Sequence, residues 1–270
     1  MNKPKLVMAD IDGTLTVGST PIDAYTRSVM ENLHKEGILL GLASGRAIDH
    51  LMMNYKDKWG LSFQFDAFIG MNGGQVYYGK EGVRHEYHLL KKETIKHIIE
   101  MMEPFHLNPF LYEGESMKVK YMDDATRASM IRNGEEAYPV NHVEDLWAND
   151  NGKVCMRVKE EDMPKIYAYA VAHETPEFRA FKTQTTMLEF MDPRVNKGYG
   201  LEKLCDIMKM PLEDVWTFGD EQNDNEMLKK AGWGVCLING ADETKKCAND
   251  ITKYPVTEDG FAHYMEEHVK

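Results

Sequence analysis

The sequence predicts an α/β protein: a doubly wound parallel-sheet core with an inserted α+β domain. Three observations carry that expectation. Strand-like and helix-like runs alternate up to about residue 75, and the same rhythm resumes near the C-terminus. Between Gly82 and Met191 the rhythm gives way to pairs of strand-like runs. Alternating β and α segments build a parallel sheet with helices on both faces, whereas paired strands build a mostly antiparallel one.

The first strand-like run is Leu6–Ala9. The segment "STPIDAYTRSVMENLHKEG" then reads as a helix, with Thr20 as N-cap, Pro21 in the first helical position and Gly37 as its stop. Ile38–Ala43 is apolar on both faces, as a buried parallel strand requires. "GRAIDHLMMNYKDKWG" reads as one helix and Ala67–Gly74 as a strand ending in glycines. At the other end, "KGYGLEKLCDIMKM" and "EQNDNEMLKKAG" read as helices, and "VWTFG" and "GVCLI" as strands. In the middle, "NPFLYEGE" pairs with "SMKVKYMD", and "KVCMRVKE" with "FRAFKTQTTMLEFMD". "KKETIKHIIEMMEPF" and "EDMPKIYAYAVAHE" supply helices between them. Turn residues in "YYGKEGV" and "MDPRVNKG" mark the boundaries, which gives a core at 1–82 and 191–270 around an insertion at 83–190.

Composition narrows the function classes. Of 270 residues, 43% are apolar and 28% charged, normal for a globular protein, and the net charge is −12. That charge disfavours nucleic acid and anionic membrane, both of which need a basic footprint. It does not bar a small anionic substrate, whose binding depends on local charge. The four cysteines contain no CxxC pair, so they read as reduced thiols rather than a zinc or disulfide framework. The N-terminus lacks a signal-peptide core, and "GILLGLA" is far too short to span a membrane. The expectation is a soluble, cytoplasmic protein, a monomer or a small homo-oligomer.

Three strand ends carry chemistry. Asp10 and Asp12 lie two positions apart at the end of the first strand, so both can converge just beyond it, where open parallel sheets bind ligands. Two close carboxylates repel, and a hard divalent cation such as Mg²⁺ would relieve them. An ordinary Asp-Gly turn is the plainer alternative. After "VWTFG" come Asp220, Asn223 and Asp224; Asp220 and Asp224 can lean towards one point, or simply cap a helix. Ser44, Gly45 and Arg46 follow the second strand and offer a hydroxyl, an N–H at a helix start and a guanidinium to a phosphate, or else form a plain N-cap with a surface arginine. Lys197 stands ahead of a helix, where it can neutralise a phosphate oxygen or sit solvated. "GLASGRAI" lacks the GxSxG order of a hydrolase elbow, and no Walker A or HExxH motif occurs.

In order along the chain, "DIDGT", "ASGR", "NKG" and "GDEQND" resemble the haloacid dehalogenase-like (HAD) phosphatases. The resemblance is closest to the Cof-type branch, which carries a large α+β cap of the C2B type on a Rossmann-like core. "MNGGQVYY" resembles that branch's NGA-type loop, and the C-terminal stretch from "GWGVCLING" onward follows its pattern. The match covers residues 1–80 and 187–270; across the cap it rests on layout alone. It implies Asp10 as nucleophile, forming an aspartyl-phosphate, and Asp12 as general acid and base. It implies Mg²⁺ held by the Asp10 carboxylate, the Asp12 main-chain carbonyl and Asp220, with Asn223 and Asp224 in support. Ser44, Gly45 and Lys197 would bind the phosphoryl group, and Arg46 and Asn72 would lie at the mouth. Ser44 stands where threonine is commoner and keeps the hydroxyl; Gly74, Ala9 and Thr16 also depart from the usual pattern without removing a catalytic group.

The implied activity is Mg²⁺-dependent hydrolysis of a small phosphorylated metabolite, such as a sugar phosphate, with the cap choosing the substrate. Phosphomutase chemistry on a sugar phosphate shares these motifs and stays open, as does a phosphate-binding regulatory protein. Tyr112, Glu113, Lys118, Arg157, Lys182 and Glu189 are plausible cap contacts, but no spacing rule selects among them.

Overall fold

The computed structural model describes residues 2–18 and 20–269. Ser19, at the head of the first expected helix, lies outside the described residues. The chain divides into two compact units, Met1–His85 with Asn196–Lys270, and Glu86–Val195.

The first unit begins with β1 (Leu6–Asp10), α1 (Ala24–Lys35), β2 (Leu39–Ala43), α2 (His50–Met53), α3 (Tyr55–Trp59), β3 (Ala67–Gly70), β4 (Gln75–Tyr78) and β5 (Val83–Glu86). The second unit holds α4 (Lys92–Met101), β6 (Pro109–Glu113), β7 (Ser116–Val119), α5 (Asp124–Asn133), β8 (Glu136–Pro139), β9 (Val154–Arg157), α6 (Met163–Ala172), β10 (Arg179–Gln184) and β11 (Met187–Met191). The chain then completes the first unit with α7 (Lys197–Met208), β12 (Val215–Gly219), α8 (Asn225–Lys230), β13 (Trp233–Cys236), α9 (Asp242–Lys245), β14 (Asp250–Ile251) and α10 (Gly260–His268).

The core sheet runs β14-β13-β12-β1-β2-β3-β4-β5. From β14 to β3 every pairing is parallel; β3 and β4 form an antiparallel hairpin, and β5 lies beyond β4 at that edge. β1 and β12 are buried along their whole length, as central strands covered on both faces must be. The inserted unit has its own sheet, β10-β11-β9-β6-β7-β8, antiparallel except for the β7–β8 pair. One face of it packs Val154, Met156, Leu188 and Phe190 against Ile95, Ile98 and Ile166 of α4 and α6.

Three of the expected helices differ from the sequence reading. α1 starts at Ala24 because Asp23, not Thr20, accepts the first free N–H. The single helix expected over residues 45–60 is two short ones. Ahead of them the backbone is held in other bonds: Met71 N–H donates to the Arg46 carbonyl and Ile48 N–H to Gln75 Oε1. Asp49 then caps α2 by accepting from Met52 N–H at 2.9 Å. The helix expected from residue 221 opens as a 3₁₀ turn, Gln222–Asp224, before α8, because Asp224 takes the N–H groups of Asp220 and Glu221. Among the described residues no helix is long and apolar enough to cross a membrane.

Candidate active site

β1 ends on Asp10, β12 runs straight into Asp220, and β2 into Ser44. β1 pairs with both of the other strands, so these residues gather at the C-terminal edge of the sheet. Asp10, Asp220 and Asp224 each bring a carboxylate oxygen to within 4.8 Å of the others. Asp224 is wholly buried, and Asp10 and Asp220 nearly so.

Lys197 is the first residue of α7 and is wholly buried. Its ammonium donates to Asp10 Oδ1 at 2.5 Å and to Asp224 Oδ1 at 2.6 Å. Asn196 fixes where α7 begins by accepting from Tyr199 N–H at 2.9 Å. The loop at Gly73 can approach only because Gly73 has φ +105° and no Cβ; a Cβ there would lie 2.0 Å from the Asn196 carbonyl oxygen. Thr14 Oγ1 donates to Asp220 Oδ1 at 2.7 Å. Gly13 (φ +93°) lies against the same carboxylate, where a Cβ would come within 2.2 Å of Oδ2.

Crowding shapes the charges. Burial drives the Asp10 carboxyl well above the usual carboxylate range; Lys197 opposes this, while Asp224 and Asp220 reinforce it. Asp220 is pushed up to about 7, mainly by burial, against the hydrogen bond from Thr14. Burial works against the Lys197 ammonium, but Asp10 and Asp224 more than offset it and hold it above the ordinary lysine range. Three buried carboxyl groups surround one ammonium, more acid than that cation can neutralise once they ionise. An all-oxygen donor set of that kind suits a hard divalent cation, so the residues present fit Mg²⁺.

The Asp12 carboxylate is half-exposed and stands apart from this cluster, accepting from Arg46 Nη2 at 2.7 Å. Arg46 Nη1 in turn donates to the hydroxyl of buried Tyr55 at 3.1 Å. The Ser44 hydroxyl oxygen accepts from Arg46 N–H at 3.2 Å, and a Cβ on Gly45 would sit 3.1 Å from Asn72 Oδ1. Asn72 (φ +53°) occupies the turn after β3 and accepts from Asn223 Nδ2 at 3.1 Å. Of the five residues expected around a metal, the structure therefore gathers the carboxylates of Asp10, Asp220 and Asp224. Asp12 turns its side chain to Arg46, and Asn223 to Asn72. Thr14 and Tyr55 were not singled out from the sequence as contacts of these groups. Thr14 had a signal in its place beside the Asp-Gly turn, whereas Tyr55 had none.

A strand-end triad of carboxylates, a buried lysine at a helix start and a hydroxyl on the neighbouring strand define a phosphoryl-transfer enzyme class. The family model for haloacid dehalogenase-like hydrolases matches residues 7–265. The chain belongs to that family. Over 270 residues, 98% of each chain, it is 28% identical to the 5-amino-6-(5-phospho-D-ribitylamino)uracil phosphatase YitU of Bacillus subtilis. It is 22% identical to an HMP-PP phosphatase of Yersinia enterocolitica, across 97% of this chain and 94% of that one. A haloacid dehalogenase-like hydrolase from Bacteroides thetaiotaomicron has the same fold, with a TM-score of 0.85 at 24% identity, covering 98% of this chain and 99% of the other.

Proposed function

We propose that this chain is a Mg²⁺-dependent phosphatase of a small phosphorylated metabolite, a sugar phosphate or a similar compound, working through an aspartyl-phosphate. The observation that carries the reading is the buried Lys197 bridging Asp10 and Asp224 beside Asp220. In this reading Asp10, Asp220 and Asp224 hold the cation, together with the Asp12 main-chain carbonyl. Bound there, Mg²⁺ would supply positive charge that favours the ionised form of Asp10 and offsets charge on the phosphoryl oxygens.

The free carboxylate oxygen of Asp10 attacks phosphorus in line with the leaving oxygen. Asp12 protonates that oxygen as the P–O bond breaks, and the leaving group departs as a neutral alcohol. Asp12 then removes a proton from water, which attacks phosphorus and frees inorganic phosphate and Asp10. Ser44, the Gly45 N–H and Lys197 orient the phosphoryl oxygens throughout. Positioning and charge neutralisation carry most of the catalysis in such transfers. Names of the relatives support a small, polar, phosphorylated substrate.

The test is hydrolysis of p-nitrophenyl phosphate by purified protein with Mg²⁺, compared with Asp10→Asn. Equal rates for the two proteins would remove Asp10 from the nucleophile role.

A further inference from the structure

Asp12, Arg46 and Tyr55 form a relay of contacts within the first unit. The Asp12 carboxylate accepts from Arg46 Nη2 at 2.7 Å, and Arg46 Nη1 donates to the Tyr55 hydroxyl at 3.1 Å. Burial changes sharply along it. The Arg46 and Asp12 side chains are 44% and 45% exposed, whereas Tyr55 lies in the hydrophobic core of the unit.

The Arg46 backbone is held after β2, since its N–H donates to Ser44 Oγ at 3.2 Å and its carbonyl accepts from Met71 N–H at 2.7 Å. Those bonds leave the long side chain to be placed by its own contacts. An exposed ion pair does this weakly, because both side chains give up rotamer freedom to keep one geometry. Tyr55 supplies what the pair lacks. Tyr55, Lys58 and Trp59 share one face of α3, at spacings of three and four residues. The Tyr55 and Trp59 ring centroids are 4.6 Å apart, and the Lys58 ammonium lies 5.0 Å from the Tyr55 centroid. A ring packed in this way makes its hydroxyl a fixed acceptor. Burial pushes that hydroxyl above the usual phenol range, which keeps it neutral. Because a guanidinium is planar, pinning Nη1 also fixes the direction of Nη2. Packing needs only the ring, which phenylalanine would supply equally well. The hydroxyl is what reaches Arg46.

We propose that Tyr55 is a positioning residue for the hydrolysis: its hydroxyl pins the Arg46 guanidinium, which holds the Asp12 carboxyl where it can protonate the leaving oxygen. The proposal rests on the phosphatase reading above. A general acid must lie within hydrogen-bond reach of the atom it protonates, and a small displacement is costly in rate. How costly depends on the leaving group. The phenolate released from phenyl phosphate is more basic than 4-nitrophenolate and needs the proton more. Lost positioning therefore changes the leaving-group dependence, which a general loosening of the fold does not.

The experiment measures kcat/KM with Mg²⁺ for phenyl phosphate and for p-nitrophenyl phosphate. It compares the unaltered full chain, Tyr55→Phe, Asp12→Asn and the double variant. This constant covers the steps up to the aspartyl-phosphate, in which the leaving group departs. The expected result is a folded Tyr55→Phe protein that loses about 10-fold more on phenyl phosphate than on p-nitrophenyl phosphate. Asp12→Asn should show the same bias more steeply, and adding Tyr55→Phe to it should cost little further, since both act through one group. The proposal is overturned if Tyr55→Phe unfolds the chain, lowers both esters by one factor or lowers neither. It is equally overturned if Asp12→Asn shows no bias, or if the Tyr55→Phe effect persists in full beside Asp12→Asn. Failure of the phosphatase reading shows separately, as turnover of both esters by the unaltered chain that is absent or indifferent to Asp10→Asn.

Discussion

Lys197 and Asp224 are both wholly buried, and the lysine donates to the carboxylate at 2.6 Å. Asp224 uses its other oxygen to hold the N–H groups of Asp220 and Glu221, so the lysine is tied to the loop that aims Asp220. Replacing one partner of such a pair leaves a buried charge uncompensated. Lys197→Met is therefore expected to cost about 3–5 kcal/mol of stability, read as a lower urea midpoint in metal-free buffer. Its phosphatase activity should fall by about 10²-fold or more, because a cation facing the developing charge is gone. Unchanged stability would mean that the pair contributes little to holding the loop.

Asp12 and Arg46 make the opposite case. Both side chains are close to half-exposed, so their 2.7 Å ion pair adds at most about 1 kcal/mol to stability. Asp12→Asn should leave the melting temperature almost unchanged and lower kcat by about 10²- to 10⁴-fold, as expected for loss of a general acid and base. Arg46→Lys keeps the charge but cannot hold Asp12 and Tyr55 through two arms of one planar group. Its kcat should fall as well, by a smaller factor. A large loss of melting temperature with kcat intact would reverse these roles.

The carboxylate triad also predicts how the metal couples to folding. A cation bound only by the native state at 100 times its Kd adds about 2.7 kcal/mol. Thermal unfolding followed across a Mg²⁺ titration should show that rise in the unaltered chain. Asp220→Asn should abolish most of it, since it removes one of three converging carboxylates. EDTA should stop hydrolysis of p-nitrophenyl phosphate, and added Mg²⁺ should restore it. A Mg²⁺ response that survives Asp220→Asn would place the ion elsewhere.

How much of this was legible in the sequence follows from how local each signal is. Val215–Gly219 was read to the residue, because a central strand buried on both faces is a nearly continuous apolar run, broken here only by Thr217. Asp10, Asp220 and Asp224 could be singled out because each sits at or just beyond a strand end. The Lys197 bridge could not, since it joins residues far apart in the chain. α5 and β8 were missed for another reason. The apolar residues of α5 are spread around the helix, and Ile131 is 87% exposed, so no helical stripe announces it. β8 is almost entirely exposed or half-exposed. Lys153 escaped because a lysine just ahead of a strand reads as solvated until its carboxylate partner, Glu189 on β11, is known.

A pH dependence follows from the cap of α5. Asp123 Oδ1 accepts from Thr126 N–H at 2.7 Å, and its other oxygen accepts from Asn108 Nδ2 at 2.9 Å. Burial pushes this carboxyl up, but the bonds from Thr126 and Asn108, with Arg157 nearby, outweigh it and hold the carboxyl below its ordinary value of 3.8. A depressed acid binds its proton less readily in the folded chain than in the unfolded one. Its contribution is thus fully present above pH 3.8 and is lost as pH falls through the lower folded value. Asp123→Ala removes the cap and should destabilise the inserted unit by about 1 kcal/mol at neutral pH. Urea unfolding of both proteins at a series of pH values should show the gap constant from neutrality down to about pH 4, then narrowing towards pH 2 as the parent's carboxylate is protonated. A gap that widens in acid would show that the carboxyl acts as a donor there instead of an accepting cap.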